Sequence, residues 1–141
     1  TDVTPPADPQ ALKARAAAQY QIPREKRVLL FVGQQIWYKN QRLLLDAFRL
    51  LCSRSNDYYL VMAGAGKDER AIQRYAASLG LTEQQICFTG KIADRDLLNG
   101  VYLNADLLFF PSVFDNAPLV LREAAALLQS VVDELKALQK N

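Results

Sequence analysis

The sequence predicts an α/β fold: a doubly wound parallel sheet of about four strands in the order 3-2-1-4, with flanking helices and a C-terminal helix. Three observations predict it. Short apolar runs such as Val28-Leu-Leu-Phe-Val and Tyr58-Tyr-Leu-Val-Met-Ala read as strands buried on both faces. Segments with helical spacing lie between these runs. The connections are short, as parallel strands joined by right-handed helical crossovers require.

Each element follows from its own signals. Residues 1–8 are rich in Pro and Asp and read as a linker, leaving residues 9–141 as a single domain. Asp8-Pro9 is an N-cap and first-turn pair for a helix to about Tyr20, and Pro23 ends that segment. The first strand runs from Val28 to Val32 and is followed by Gly33. After a loop from Gln34 to Lys39, Asn40 caps a helix whose buried face is Leu43, Leu44, Ala47, Phe48 and Leu51. Tyr58 to Ala63 is the second strand, and Gly64-Ala-Gly66 closes it. A helix from about Lys67 buries Ile72, Tyr75, Ala76 and Leu79 and stops at Gly80. Gln85 to Thr89 forms the third strand, ended by Gly90. Asp94 caps a helix with Leu97, Leu98, Val101 and Tyr102 on one face. Asp106 to Pro111 is the fourth strand. Val120, Ala124, Leu127, Leu128, Val131, Val132, Leu135 and Leu138 then fit one helical stripe, in one long helix or in two pieces.

Composition excludes several kinds of chemistry. The chain has 141 residues, a net charge of +2 and no histidine. Serine–histidine and cysteine–histidine catalysis are therefore absent, as is any His-ligated zinc. The small charge, with basic residues set beside acids as in Lys67-Asp-Glu-Arg70, reads as solvated helix faces and gives no nucleic-acid footprint. Cys52 and Cys87 form no CxxC pair and read as reduced packing residues of a cytoplasmic protein. No apolar run nears the roughly 18 residues that span a bilayer, and no signal peptide is evident.

The candidate site lies in the loops after the strands, which fall on one edge of a parallel sheet. Phe110-Pro-Ser-Val-Phe-Asp-Asn-Ala-Pro-Leu-Val-Leu-Arg-Glu-Ala124 reads as a strand end, a loop and a helix starting near Pro118. Free N–H groups at a helix start favour an anion such as phosphate. Asp115 and Glu123 suit sugar or ribose hydroxyls, although each alone also reads as a loop-bonding or solvated acid. Gly33 allows close backbone approach to a ligand. Lys39 reads either as a diphosphate cation or as an ordinary surface lysine. Gly64 and Gly66 fit a tight strand-to-helix turn better than a dinucleotide fingerprint, which needs the full GxGxxG. Gly90 reads as a turn residue. For Trp37 and Tyr38, packing is preferred over pocket lining.

Pro111-Ser-Val-Phe-Asp-Asn-Ala-Pro-Leu-Val-Leu-Arg-Glu-Ala-Ala resembles the acidic signature of retaining glycosyltransferases of the GT-B fold, P-S-x-x-E-G-F-G-L-x-x-L-E-A. Asp115 and Glu123 keep its spacing of eight positions. Phe31-Val-Gly33 with Lys39, Gly64-Ala-Gly66, Phe88-Thr-Gly90 and Ala105-Asp106 resemble further family pieces in the family's order, from about Lys26 to Ala126.

The resemblance implies a Rossmann-like donor-binding half of a glycosyltransferase of cell-surface polysaccharide synthesis. It implies that Glu123 holds ribose hydroxyls and Asp115 the transferred sugar. Lys39 and the amides of Leu119 and Val120 would bind the diphosphate, with Lys91 and Ile92 near the base. The donor is then a nucleoside diphosphate sugar, and no cofactor or metal is expected. Gln34 replaces the family's arginine, and Asn116-Ala117 replaces Gly-Phe. The resemblance also implies an N-terminal acceptor half that these residues do not include, and a departure after about residue 126. It leaves peripheral membrane association open for the parent enzyme. A second expectation is a non-catalytic fragment of the same fold, self-associating through the fourth-strand edge. A dinucleotide oxidoreductase is disfavoured because the fingerprint and its following acid are absent.

Overall fold

A computed structural model describes residues 8–37 and 41–109. The elements are α1 (Pro9–Tyr20), β1 (Arg27–Val32), α2 (Gln41–Arg54), β2 (Tyr58–Ala63), α3 (Glu69–Ser78), β3 (Ile86–Gly90), α4 (Arg95–Asn104) and β4 (Leu107–Phe109). The strands form one parallel sheet in the order β3-β2-β1-β4, as the sequence predicts.

The strands are apolar throughout because both faces are covered, and their period of two sorts side chains between two cores. Leu29 and Phe31 of β1, Leu60 and Met62 of β2 and Leu107 of β4 point to one face. Leu44, Leu45, Phe48 and Leu51 of α2, with Ile72 and Ala76 of α3, cover that face. Val28, Leu30, Tyr59, Val61 and Ala63 point the other way, against Ala16 of α1 and Val101 of α4. The chain thus winds from β1 to β3 over one face and returns to β4 over the other. The direction switches between β1 and β4, the place where open α/β sheets open a crevice.

Asp106 fixes the register at that switch. Its carboxylate accepts from Val28 N–H at 2.8 Å, while its own N–H donates to the Val28 carbonyl at 2.9 Å. Two helix starts have side-chain caps. Asp8 Oδ1 accepts from Gln10 N–H at 3.1 Å and precedes Pro9, so α1 begins with a cap and a preset φ. Asp94 Oδ1 accepts from Asp96 and Leu97 N–H and caps α4. Gly80, at φ +82°, turns the chain after α3.

Three helix-face expectations are corrected. Leu43 of α2 is 38% exposed, and Leu45 is buried in its place. The buried arc of α2 takes in Gln41 and Leu45 beside the predicted Leu44, Ala47, Phe48 and Leu51. Tyr102 of α4 is 37% exposed, because α4 turns Gly100 and Val101 towards α1. A β-carbon on Gly100 would lie 2.2 Å from the Leu12 carbonyl oxygen, so this glycine sets how closely the two helices cross. Thirdly, Tyr75 and Leu79 pack only at the edge of the core, whereas Ile72 and Ala76 are buried as expected. Cys52 and Cys87 are free thiols, and burial pushes the Cys52 thiol up to about 11. That agrees with packing residues of low reactivity. Residues 1–7 of the predicted linker 1–8, the Asn40 cap and everything from Phe110 onwards, including the C-terminal helical stripe, lie outside the described residues.

Candidate functional site

A cleft of about 380 Å³ lies over the C-terminal ends of three strands. Val32, Gly33 and Gln34 line it after β1, and Ala63, Gly64 and Ala65 after β2. Lys91 and Ile92 follow β3, and Leu98 of α4 closes one side. The volume is in the range of small-molecule sites, and the lining is apolar with few polar groups, as such sites usually are. A second hollow, of about 340 Å³, sits at the opposite edge among Lys13, Arg24, Lys26 and Asp106. Two of its polar groups are already engaged: Asp106 in the clamp on Val28, and Lys26 Nζ with the Gln84 carbonyl at 2.8 Å. The strand-end cleft is also where parallel sheets place ligands.

The glycines divide by what surrounds them. A β-carbon on Gly33 would meet only the Phe31 ring, at an ordinary 3.5 Å. The fold therefore does not itself demand glycine there. Gly64 differs: φ is +125°, and a β-carbon would lie 2.0 Å from the Gly33 carbonyl oxygen. On Gly66 it would lie 2.6 Å from the Gln35 carbonyl oxygen. The loop after β2 thus presses on the loop after β1, which favours the tight-turn reading of Gly64-x-Gly66. Gly90, at φ +69°, bonds the same turn through Gly64 N–H to its carbonyl at 3.0 Å. The pairing shifts by one residue between Met62 and Ala63, so Gly90 ends β3 in a bulge that aims Lys91 and Ile92 at the cleft.

The β1–α2 loop is stitched along its length. Gln35 N–H donates to the Ala65 carbonyl at 3.2 Å. Gln41 Nε2 donates to the Gln34 carbonyl at 2.9 Å. Trp37 N–H donates to Asp68 Oδ2 at 3.0 Å, and its indole meets the Tyr75 ring edge-on at 5.8 Å and 82°. Arg42 lies over the same ring at 4.9 Å, and Tyr75 OH donates to Asp46. Burial, then the Asp46 carboxylate, pushes the Tyr75 phenol up. Packing is therefore the role of Trp37, the preferred of the two readings. Gln35 is fully buried, yet neither atom of its side-chain amide finds a partner among the described residues.

The structure therefore gathers Gly33, Gly64, Lys91 and Ile92 around one cleft, sets Gly90 beside it and places Gly66 beneath the β1–α2 loop. Lys39, Asp115, Leu119, Val120 and Glu123 lie outside the described residues. Sequence reasoning missed Gln35, Gln41, Leu98 and Asp68. Asp68 was hidden in the charge run Lys67-Asp-Glu-Arg70, which reads as a solvated face. Only its place at a helix start hinted at more. Among the described residues no group of three or more His, Cys, Asp or Glu side chains could hold a metal ion. None of their helices is long and apolar enough to cross a membrane.

Residues 13–132 match the family described as Glycosyl transferases group 1. The D-rhamnosyltransferase WbpZ of Pseudomonas aeruginosa is 35% identical over 89 residues, 61% of this chain and 22% of that protein. The mannosylfructose-phosphate synthase of Agrobacterium fabrum is 31% identical over 110 residues, 72% of this chain and 24% of that protein. In structure, the C-terminal domain of the group 1 glycosyl transferase LpcC from Francisella tularensis superimposes with a TM-score of 0.57 at 20% identity. That match covers 72% of this chain and 56% of the other. The chain spans about a quarter of the length of the curated relatives it matches.

Proposed function

Because the chain belongs to the group 1 glycosyl transferases and has the fold of their GT-B C-terminal domains, we propose that it is the donor-binding half of a retaining glycosyltransferase. The donor is a nucleoside diphosphate sugar, and the parent enzyme passes the sugar to a glycan or lipid-linked acceptor. One observation carries this reading: the cleft over β1, β2 and β3 is bordered by Gly33, whose missing side chain leaves space that no protein atom needs. Backbone can approach a diphosphate closely there. The Lys91-Ile92 pair, aimed into the cleft by the Gly90 bulge, offers an apolar rest and a cation for the base end of a nucleotide.

The remaining roles rest on the resemblance. Glu123 accepts from ribose hydroxyls, Asp115 contacts the transferred sugar, and Lys39 with the amides of Leu119 and Val120 stabilises the departing diphosphate. That stabilisation is the protein's main chemical contribution, since leaving-group charge develops on the diphosphate. No cofactor or metal enters this scheme. The 141 residues bind donor without transferring sugar, because acceptor positioning is supplied by the rest of the enzyme. The parent acts in the cytoplasm, on cell-surface polysaccharide.

Titration of the chain with UDP, GDP and ADP sugars tests the proposal. One of them should shift backbone amide resonances of Gly33, Gln34, Lys91 and Ile92 and raise the melting temperature. If none does so at millimolar concentration, donor binding by this chain is refuted.

A further inference from the structure

We infer that Asp68 is a positioning residue for the diphosphate end of the cleft, an inference that rests on the donor-binding reading above. Asp68 holds the N-cap position of α3, where an aspartate ordinarily accepts from the helix's own first-turn amides. Its side chain makes no such bond. Instead Asp68 Oδ2 accepts from Trp37 N–H at 3.0 Å, across 31 positions of sequence. Its own N–H donates to the Gln35 carbonyl at 3.0 Å. One residue therefore grips the β1–α2 loop at two points, immediately after Gly33 and Gln34, which line the cleft.

The choice of partner is informative. The first turn of α3 forgoes a stabilising cap, and the acceptor is spent on a loop from another crossover. What that bond maintains is the path of residues 33–37. A ligand phosphate that approaches Gly33 then meets backbone already in place, so less ordering cost is charged against binding. Asp68 acts through the loop and does not touch the ligand. In sequence Lys39 follows the Trp37 anchor by two residues. Trp37 is the single tryptophan of the chain, so its fluorescence reports on this anchor directly.

The test compares the 141-residue chain with Asp68→Ala and Asp68→Asn. Calorimetry measures the affinity of nucleoside diphosphate and of the matching monophosphate for each, using UDP with UMP, GDP with GMP and ADP with AMP. Asp68→Ala should weaken the diphosphate about tenfold, the size of one lost hydrogen bond, and the monophosphate by less than about twofold. Asp68→Asn keeps an acceptor for Trp37 N–H and should stay within about threefold of wild type for both. Trp37 emission should shift in Asp68→Ala and not in Asp68→Asn. If Asp68→Ala does not fold by circular dichroism, Asp68→Glu replaces it. Moving the acceptor by one methylene should give the same diphosphate-selective loss.

The inference is overturned if a folded variant binds both nucleotides as wild type does, or weakens both equally. The donor-binding reading survives either result, because wild-type binding is measured in the same series. A wild type that binds no diphosphate sinks that reading, and this inference with it.

Discussion

Gly64 stands so close to Gly33 that a β-carbon on it would lie 2.0 Å from the Gly33 carbonyl oxygen. The two glycines sit in adjoining loops, after β2 and β1, yet they have different reasons to be glycine. Gly64, at φ +125°, is demanded by the fold. Gly33 has room, with only the Phe31 ring at 3.5 Å from an added β-carbon.

Substitution should separate these reasons. Gly64→Ala combines a disfavoured φ with a clash against backbone, so it should cost about 2–4 kcal/mol of stability. Gly33→Ala should stay within about 0.5 kcal/mol of wild type, as substitutions without such features do. It should nevertheless weaken nucleotide-sugar binding, because the added methyl enters the space left for the ligand. Urea unfolding and a binding titration on both variants check this. Equal destabilisation by the two would remove the distinction on which the ligand space at Gly33 rests.

The α1–α4 crossing gives a second prediction. A methyl on Gly100 would meet the Leu12 carbonyl oxygen at 2.2 Å and the Ala16 methyl at 2.9 Å. Helix propensity alone favours alanine by about 1 kcal/mol. Overpacking costs about 1–3 kcal/mol and here involves backbone, which cannot rotate away. Packing should win, so Gly100→Ala lowers the urea midpoint, while Asn99→Ala on the exposed side of α4 leaves it nearly unchanged. A stabilised Gly100→Ala would show that α1 is free to move off α4.

Asp94 makes the same helix pair pH-sensitive. Its carboxylate lies 2.6 Å from the Arg15 guanidinium and accepts from the first-turn amides of α4. The Arg15 hydrogen bond, then the Leu97 N–H, holds its pKa below the ordinary carboxylate value. A depressed folded pKa means that the stabilisation is present above the unfolded value, about 4, and is lost as pH falls through the lower folded value. The melting-temperature gap between wild type and Asp94→Ala should therefore be open at pH 7 and shrink towards roughly pH 2. Asp94→Asn, which still caps but carries no charge, should lie between them at pH 7. A gap that stays constant from pH 7 to pH 2 would refute the ion-pair contribution.

The sheet was legible because buried parallel strands are apolar on both faces, and Val28–Val32 and Tyr58–Ala63 have no other reading. The strand order was legible because helix and strand alternate. The helix faces were less so. Leu43 and Leu45 are both leucines on one helix, and only the direction of approach of the sheet decides which is buried. Gly100 was invisible because a glycine inside a helix reads as a weakness until a second helix is known to cross there. Asp68 was invisible for a related reason: its partner is 31 residues away, and spacing rules report only local bonds. At the site, Gly33, Gly64, Lys91 and Ile92 were legible because topology alone sends the loops after parallel strands to one edge.

Gln35 offers a prediction that spacing rules could not reach. It is fully buried in the β1–α2 loop, its backbone is bonded to Ala65 and Asp68, and its amide is unpartnered among the described residues. Leaving a buried amide unbonded costs about 1–3 kcal/mol, whereas an apolar side chain of similar shape carries no such penalty. Methionine is close to glutamine in length and adapts to irregular space. Gln35→Met should therefore raise stability by about 1 kcal/mol, read as a higher urea midpoint with an unchanged slope. A lower midpoint would show that the amide is satisfied in solution, for instance by a bound water, and that the loop draws stability from it.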